Sequence, residues 1–334
     1  MNKLISIIIL TYNSEKYIEN CLKSVFEQTY DNIELIVVDN ASKDNSVEII
    51  ENWKLKTLPA GRQVENFRFI ENSINLGYTG GNNVGIRESR GEYVVVINPD
   101  VILDKNYIEM IVDEFDKDSH VGSVQGKCYQ LNNGVKTKII DTIGFKFFKS
   151  GRIIDEGQGD EDVGQYEEKR EVFGVNGNAA AYRRTTLNDI KYKEEYFDGD
   201  FFYCAEDFDL AWRTKNKGWK CIYVPQAILW HDRYSAKSIS GGWKEFRKTR
   251  KSQSLWLRKM SWRNVWLTFI KNLPLKSFFH PQFLKRQIKF CFYLLIFEPR
   301  VLLIKFSIIK LLPRMLKKRK IIMENKKVNY VRFD

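Results

Sequence analysis

Polar and acidic side chains follow directly on three short apolar runs in the first hundred residues. Thr11-Tyr12-Asn13 comes after LISIIIL, Asp39-Asn40-Ala41-Ser42 after IELIVV, and Asn98-Pro99-Asp100 after YVVVI. A carboxylate in such a place can accept from a base or a ribose, or hold a divalent ion through hard oxygen ligands. Taken singly, a strand-end Asp is an ordinary cap or turn residue. Three polar strand ends on one sheet edge point to a ligand, because open α/β sheets bind ligands outside the carboxyl ends of their strands. A second segment, Asn75–Asn83 (NLGYTGGNN), puts Gly77, Gly80 and Gly81 at the opening of a predicted helix. Glycines there permit close backbone approach, and a helix N-terminus favours phosphate or hydroxyl groups.

A third cluster carries the candidate base. Asp207, in EDFDLAWR, lies near the start of a predicted helix, where the dipole favours an ionised carboxylate able to remove a proton. Asp209 and Arg213 are four residues apart on that helix and read as a surface ion pair. His231, one of three histidines, is flanked by Trp230 and Asp232. It suits a metal or phosphate ligand, and equally a satisfied, half-buried imidazole. Neither GxGxxG nor GxxxxGK[ST] occurs at the first turn, which argues against a nicotinamide dehydrogenase and a P-loop NTPase.

The elements that must position these residues alternate over roughly the first 120 positions. Strands are predicted at Leu4–Leu10, Ile33–Val38, Phe67–Ile70 and Tyr93–Ile97. Helical spacing recurs around Tyr17–Phe26, Val47–Trp53, Asn82–Ser89 and Ile108–Phe115. Near-continuous apolar strands alternating with helices imply a mostly parallel, doubly wound α/β sheet covered on both faces. Leu55–Glu65, with Pro59 and Gly61, reads as a surface loop, and residues 155–171 as a solvated acidic loop over the site. Beyond residue 243 the pattern turns helical, with breaks expected near Pro274, Pro281, Pro299 and Pro313.

Charge divides the 334-residue chain in two. Residues 233–334 hold 26 Lys+Arg against 4 Asp+Glu, and the preceding residues hold 28 against 38. The formal total of +12 is therefore an acidic body joined to a basic tail, a division read as domains 1–235 and 236–334. Apolar runs alternate with Lys and Arg over 283–320, the pattern of an interfacial segment on an anionic membrane or of a helical subdomain with a solvated basic face. The acidic body and the lack of nucleic-acid motifs favour no nucleic-acid partner. Five scattered cysteines without a CxxC pair fit a reducing cytoplasm, and no stretch is long and apolar enough to span a bilayer. The opening apolar run is a buried strand rather than a signal peptide.

Together these residues resemble the inverting nucleotide-sugar glycosyltransferases of family 2, with the GT-A fold, and among them the bacterial rhamnosyltransferase-like branch. The matching pieces are Thr11-Tyr12-Asn13, Val38–Ser42 with Asp44 and Ser46, Asn75–Ile86 and Asn98-Pro99-Asp100. Val175–Arg184, Glu206-Asp207-x-Asp209-Leu-x-x-Arg213 and Trp230-His231 complete them, in the family's order over residues 4–235. The resemblance implies that Asp39 accepts from a uracil or thymine ring, with Thr11, Asn13, Asn75, Gly77, Asn83 and Asn98 around the nucleotide. It implies Gly177 and Asn178 near the transferred sugar, and Mg²⁺ or Mn²⁺ held by Asp100 with His231 as a further ligand. Asp207 would take the proton from the acceptor hydroxyl. Asn-Pro-Asp stands where many relatives have Asp-x-Asp, which implies weaker metal retention. The expected activity is transfer from a dTDP- or UDP-sugar to a lipid-linked or polysaccharide acceptor, peripheral on the inner face of the cytoplasmic membrane. The rival readings are a nucleotidyltransferase, whose Gly-rich basic signature is absent, and a non-catalytic nucleotide-sugar binding module.

Overall fold

A computed structural model describes residues 3–55, 66–232 and 243–328. The chain begins with alternating strands and helices: β1 (Ile5–Thr11), α1 (Ile18–Phe26), β2 (Ile33–Asp39), α2 (Ser46–Leu55), β3 (Phe67–Glu71), α3 (Gly77–Glu88) and β4 (Tyr93–Ile97). These strands run parallel in the order β3-β2-β1-β4, with Ile5 opposite both Ile33 and Tyr93 and Thr11 opposite Asp39. Every residue of β1 and β4 is buried, so the sheet is covered on both faces. The pleat sorts the side chains. Ile5, Ile7 and Ile9 pack with Ile18, Leu22 and Val25 of α1, and Ile8 and Leu10 pack with Ile86 of α3 on the opposite face. The helices settle close: a Cβ on Gly81 would meet Leu10 at 2.3 Å, and one on Gly85 would meet Ile8 at 2.5 Å. Gly80 and Gly81 therefore serve helix packing, not ligand approach.

The sheet then continues in mixed sense. After β5 (Val101–Leu103) and α4 (Tyr107–Lys117) come β6 (Val121–Asn132), β7 (Val135–Thr142), β8 (Phe145–Phe147), β9 (Ile153–Asp155), β10 (Arg170–Glu171) and β11 (Ala179–Arg183). Next are α5 (Arg184–Ile190), α6 (Glu206–Asn216) and β12 (Lys220–His231). β11 is antiparallel to both β4 and β6, whereas β12 runs parallel to β6 and antiparallel to the short β5 and β10. The chain thus keeps a largely parallel α/β sheet with an antiparallel insert at its centre. Ala179 pairs with Ile97, which places Gly177 and Asn178 at the same edge as the carboxyl ends of β1, β2 and β4. His231 pairs with Val101, bringing the end of β12 beside Asp100.

Of residues 155–171 only Asp155 lines the cavity at that edge. Lys127 and Tyr129 bind Asp162, and the Tyr223 hydroxyl donates to the Tyr166 carbonyl at 2.8 Å, pinning the segment along β6 and β12. The loop expected over Leu55–Glu65 lies, from residue 56 onward, outside the described residues, as does the 235/236 boundary.

The basic C-terminal region is helical: α7 (Trp243–Ser252), α8 (Leu255–Asn272), α9 (Leu275–Phe278), α10 (Pro281–Phe297), α11 (Pro299–Leu302) and α12 (Lys305–Glu324). Pro281 and Pro299 open their helices, where a missing N–H costs nothing. The break expected at Pro313 does not occur, and α12 runs through it. Tertiary contacts hold the helix on both sides of the proline, because Ile308, Leu311 and Met315 pack on Phe201 and Leu267. Phe269 and Phe283 also join Phe147, Phe208 and Trp212 in one aromatic cluster, so the C-terminal helices share a core with α6.

Candidate active site

A cavity of about 860 Å³ opens at the carboxyl edge of the sheet. Asn13, Asn75, Gly77, Asn98, Asp100, Gly177, Asn178, Asp207 and His231 all line it, joined by Asp155, Tyr78, Tyr203, Glu206, Trp256 and Arg286. Elements separated by more than two hundred positions in the chain thereby meet in one place.

Asp207 stands in the first turn of α6. Its Oδ2 accepts from the Gly177 N–H at 3.0 Å and its Oδ1 from the Phe208 N–H at 2.8 Å. Gly177 has no room for a side chain, since a Cβ would meet the Tyr78 hydroxyl at 2.9 Å and Asp207 Oδ2 at 3.3 Å. Tyr78 in turn donates to the Gly177 carbonyl at 2.8 Å. Burial pushes the Asp207 carboxyl up to about 6; the two backbone N–H groups pull it down and the Asp155 charge adds to the rise. Desolvation thus outweighs the helix N-terminus and the two N–H donors. Neighbouring Glu206 is pushed well above the ordinary carboxylate value, first by burial and then by the Asp207 charge. The approach to α6 is strained: Phe202, Cys204 and Ala205 all hold φ between 60° and 77° without being glycine.

Asp100 and His231 face each other across the cavity wall. His231 Nε2 lies 3.4 Å from Asp100 Oδ1, and Nδ1 lies 2.9 Å from Asp141 Oδ2. Burial alone would lower the imidazole's pKa; the Asp100 charge and its hydrogen bond, with Asp141 behind, lift it to about 10. Donor atoms of Cys128, Asp141 and His231 lie within 4.8 Å of one another, and Asn178 Nδ2 donates to Cys128 Sγ at 3.0 Å. The donor chemistry fits a hard divalent ion at the Asp100–His231 face, with Asp141 orienting the ring from behind. Asp141 carries no local sequence signal. The β6–β7 hairpin brings it there, with Cys128 opposite Thr142.

Three expected donor contacts are placed differently. Asn83 lies outside the cavity: its Oδ1 accepts from the N–H groups of Tyr196 and Phe197 and its Nδ2 donates to the Phe197 carbonyl. Its amide is consumed in pinning the 196–197 segment to α3. Thr11 and Asp39 sit below the cavity floor, each nearly inaccessible. The Asp39 carboxylate accepts from the Ser42 N–H at 2.8 Å and from the Ser42 hydroxyl, closing the turn after β2. Asn13 Oδ1 holds the same turn by accepting from the Lys43 N–H at 2.8 Å. Asn75 Oδ1 accepts from the Gly77 N–H at 2.8 Å, and Gly77 (φ 72°) abuts Phe202 so closely that a Cβ would lie 2.5 Å from its carbonyl. Asp209 and Arg213 are not a surface pair. Both are buried at 3.0 Å, and Asp209 Oδ1 also meets Lys271 and Asn272 of α8 at 2.8 Å each.

The family model for glycosyl transferase family 2 matches residues 6–190. The poly-beta-1,6-N-acetyl-D-glucosamine synthase of Staphylococcus epidermidis is 23% identical over 245 residues, covering 72% of this chain and 52% of that protein. Glycosyltransferase GlyG of Streptococcus pneumoniae serotype 4 is 34% identical over 126 residues, 37% of this chain and 40% of that protein. The chain thus spans about half the length, or less, of these curated relatives. Among solved structures, GalNAc-T7 with UDP, GalNAc and Mn²⁺ superposes with a TM-score of 0.58 at 15% identity, over 80% of this chain and 48% of that one. Staphylococcus aureus TarS 1–349 with UDP gives 0.54 at 17% identity, over 96% and 88%. With a strand order, a cavity edge and a family match that agree, the chain has the GT-A fold and belongs to glycosyl transferase family 2.

Proposed function

We propose that the protein is an inverting transferase that moves a sugar from a dTDP- or UDP-sugar to a hydroxyl of a lipid-linked or polysaccharide acceptor in cell-surface glycan synthesis. The observation that carries this reading is Asp207: a buried carboxylate, lifted to about 6 and aimed by Gly177, sharing one cavity with Asp100 and His231. A base of that pKa is ionised at neutral pH yet basic enough to draw a proton from an attacking hydroxyl. Glu206 beside it is pushed up in the same sense, first by burial and then by the Asp207 charge, so the pair resists carrying two negative charges. In this reading Asn13, Asn75 and the Asp39–Ser42 turn bound the nucleotide end, with Thr11 beneath them, and Gly177 and Asn178 bound the sugar. Asp100 and His231 would hold Mg²⁺ or Mn²⁺, which offsets charge developing on the leaving diphosphate. A single displacement needs no covalent intermediate, and the chain's own task is to align the acceptor hydroxyl on Asp207.

Residues 1–235 would form the transferase unit and 236–334 a unit that rests on an anionic membrane at its inner face. Among the described residues no helix is long and apolar enough to cross a membrane. The exposed stripe Leu284, Ile288, Phe292, Leu295 and Ile296 on α10, interleaved with Lys285 and Lys289, supports surface contact with lipid in place of nucleic acid. A donor panel (dTDP-rhamnose, UDP-glucose, UDP-galactose, UDP-GlcNAc, GDP-mannose) followed by thermal shift with and without Mn²⁺ tests the reading, since a bound donor raises apparent stability. No shift with any nucleotide sugar would refute it.

A further inference from the structure

We propose that Arg286 of α10 is a phosphate anchor for the acceptor, so that the acceptor taken by this cavity carries a phosphate or diphosphate group. The inference rests on the transferase reading and adds the chemistry of its second substrate. α10 forms a fixed wall of the cavity. Gly151, in the turn between β8 and β9 with φ 75°, lies so near the helix that a Cβ would meet the Phe283 ring at 2.7 Å and Gln287 Nε2 at 3.3 Å. Phe283 itself is seated in the aromatic cluster with Phe147 and Phe269. Arg286, one turn further along, opens into the same cavity as Asp155 and Asp207.

Several of the tail's other cations are paired within the protein. Arg250 and Arg258 pair with Glu298, Lys271 with Asp209, Lys318 with Asp200, and Arg319 donates to the carbonyls of Ile270 and Leu273. Arg286 makes no hydrogen bond or ion pair with any described residue. Burial, then the neighbouring Arg152 charge, pull its pKa below the usual guanidinium value. The Arg286 guanidinium therefore faces the cavity with no carboxylate paired to it among the described residues, and the charge of the exposed Arg152 adds to its cost. A guanidinium presents a fork of donors that matches phosphate oxygens, and desolvating it without a partner is costly. The missing partner is an anion supplied by a ligand.

The position selects the acceptor's phosphate over the donor's. Arg286 stands with Gly151 and Ile153 of the β8–β9 hairpin, whereas Asn13, Asn98 and Asp100 come from the carboxyl edge of β1 and β4. Asp155, at the end of that hairpin, is close enough for its charge to act on Asp207. The donor edge, the base and the arginine thus come from different elements around one cavity.

The test uses the full-length protein and calorimetric titration with farnesyl diphosphate, farnesol, UDP–Mn²⁺ and dTDP–Mn²⁺ as probes. Wild type should bind farnesyl diphosphate with UDP–Mn²⁺ already saturating, and bind farnesol at least tenfold more weakly. R286Q should weaken farnesyl diphosphate at least tenfold and change UDP–Mn²⁺ less than twofold, with R286K intermediate. Should R286Q fail to fold, R286K, which keeps the charge but not the guanidinium fork, reads the same contrast with a smaller loss. Equal loss for UDP–Mn²⁺ would assign the arginine to the donor diphosphate and overturn the proposal. So would unchanged farnesyl diphosphate affinity, or binding abolished by UDP–Mn²⁺. Failure of wild type to bind either UDP–Mn²⁺ or dTDP–Mn²⁺ would instead defeat the transferase reading.

Discussion

At the scale of single residues, the chemistry turns on two adjacent carboxyl groups that the fold treats differently. Glu206 is pushed well above the ordinary carboxylate value, first by burial and then by the Asp207 charge. Asp207 keeps two backbone N–H donors and titrates near 6. A group acting as base must be deprotonated, so kcat/KM should be level above about pH 7 and fall tenfold per unit below about pH 6. D207N should lower transfer by roughly 10²–10⁴-fold while donor affinity, read by thermal shift, changes little. Full activity in that variant would remove Asp207 from the base role. Sequence reading singles out Asp100 and Asp207 because each lies at an element boundary that the apolar pattern reveals, and both line the one cavity. Asp141 escaped it, because hairpin register alone brings it behind His231. Asn83 was misread for the opposite reason. An asparagine in a glycine-rich turn has the same local signature whether its amide faces a ligand or, as here, the backbone of residues 196–197.

At the scale of elements, α6 is both the carrier of the base and the seat of an ionic clamp. Asp209 ties α6 to Lys271 of α8, and Asp198, beneath them, meets Lys271 and Lys318, so that α8 and α12 are fastened to the body by buried charge. Breaking a buried pair strands its partner, at a cost of about 3–5 kcal/mol. D198N should therefore lower the urea midpoint clearly, and a shift under 0.5 kcal/mol, the scale of an ordinary surface substitution, would show the clamp to be idle. Burial opposes ionisation of Asp198, but the Lys271 and Lys318 charges prevail and hold its pKa below the ordinary carboxylate value. Its stabilisation is thus present above the unfolded pKa, about 3.9, and is lost as pH falls below that value. Denaturation curves between pH 7 and pH 3 should show wild type losing stability on the acid side more steeply than D198N. G77A, which forces a Cβ against the Phe202 carbonyl at a positive φ, should cost about 1–3 kcal/mol. The first four strands were legible because each is buried on both faces and reads as a continuous apolar run. The long β6 and β12 were not, since their polar positions follow irregular, bulged pairing. Pro313 misled because tertiary packing, invisible locally, overrode a strong helix breaker.

At the scale of the molecule, the acidic body and the basic tail are first of all partners to each other. Lys271, Lys318 and Arg314 are taken up by Asp198 and Asp200, so only part of the tail's charge is open to an external surface. What remains is concentrated with exposed apolar side chains. Ile288, Phe292 and Ile296 are 54%, 60% and 68% exposed on successive turns of α10, and Phe306 and Ile309 of α12 are 63% and 62% exposed. An apolar stripe contributes a salt-independent attraction to a bilayer, whereas each nearby Lys or Arg contributes about 1 kcal/mol on an anionic leaflet and is screened by salt. Binding to vesicles containing phosphatidylglycerol should accordingly weaken between 50 and 500 mM salt, to roughly the level seen with neutral phosphatidylcholine. The triple variant I288S/F292S/I296S removes only exposed side chains, so its melting temperature should match wild type. It should lose about 3 kcal/mol of membrane affinity, roughly a hundredfold, at both salt concentrations. Unchanged co-sedimentation of the triple variant would mean that the stripe faces something other than lipid, and the tail's role would reduce to the clamp on α6.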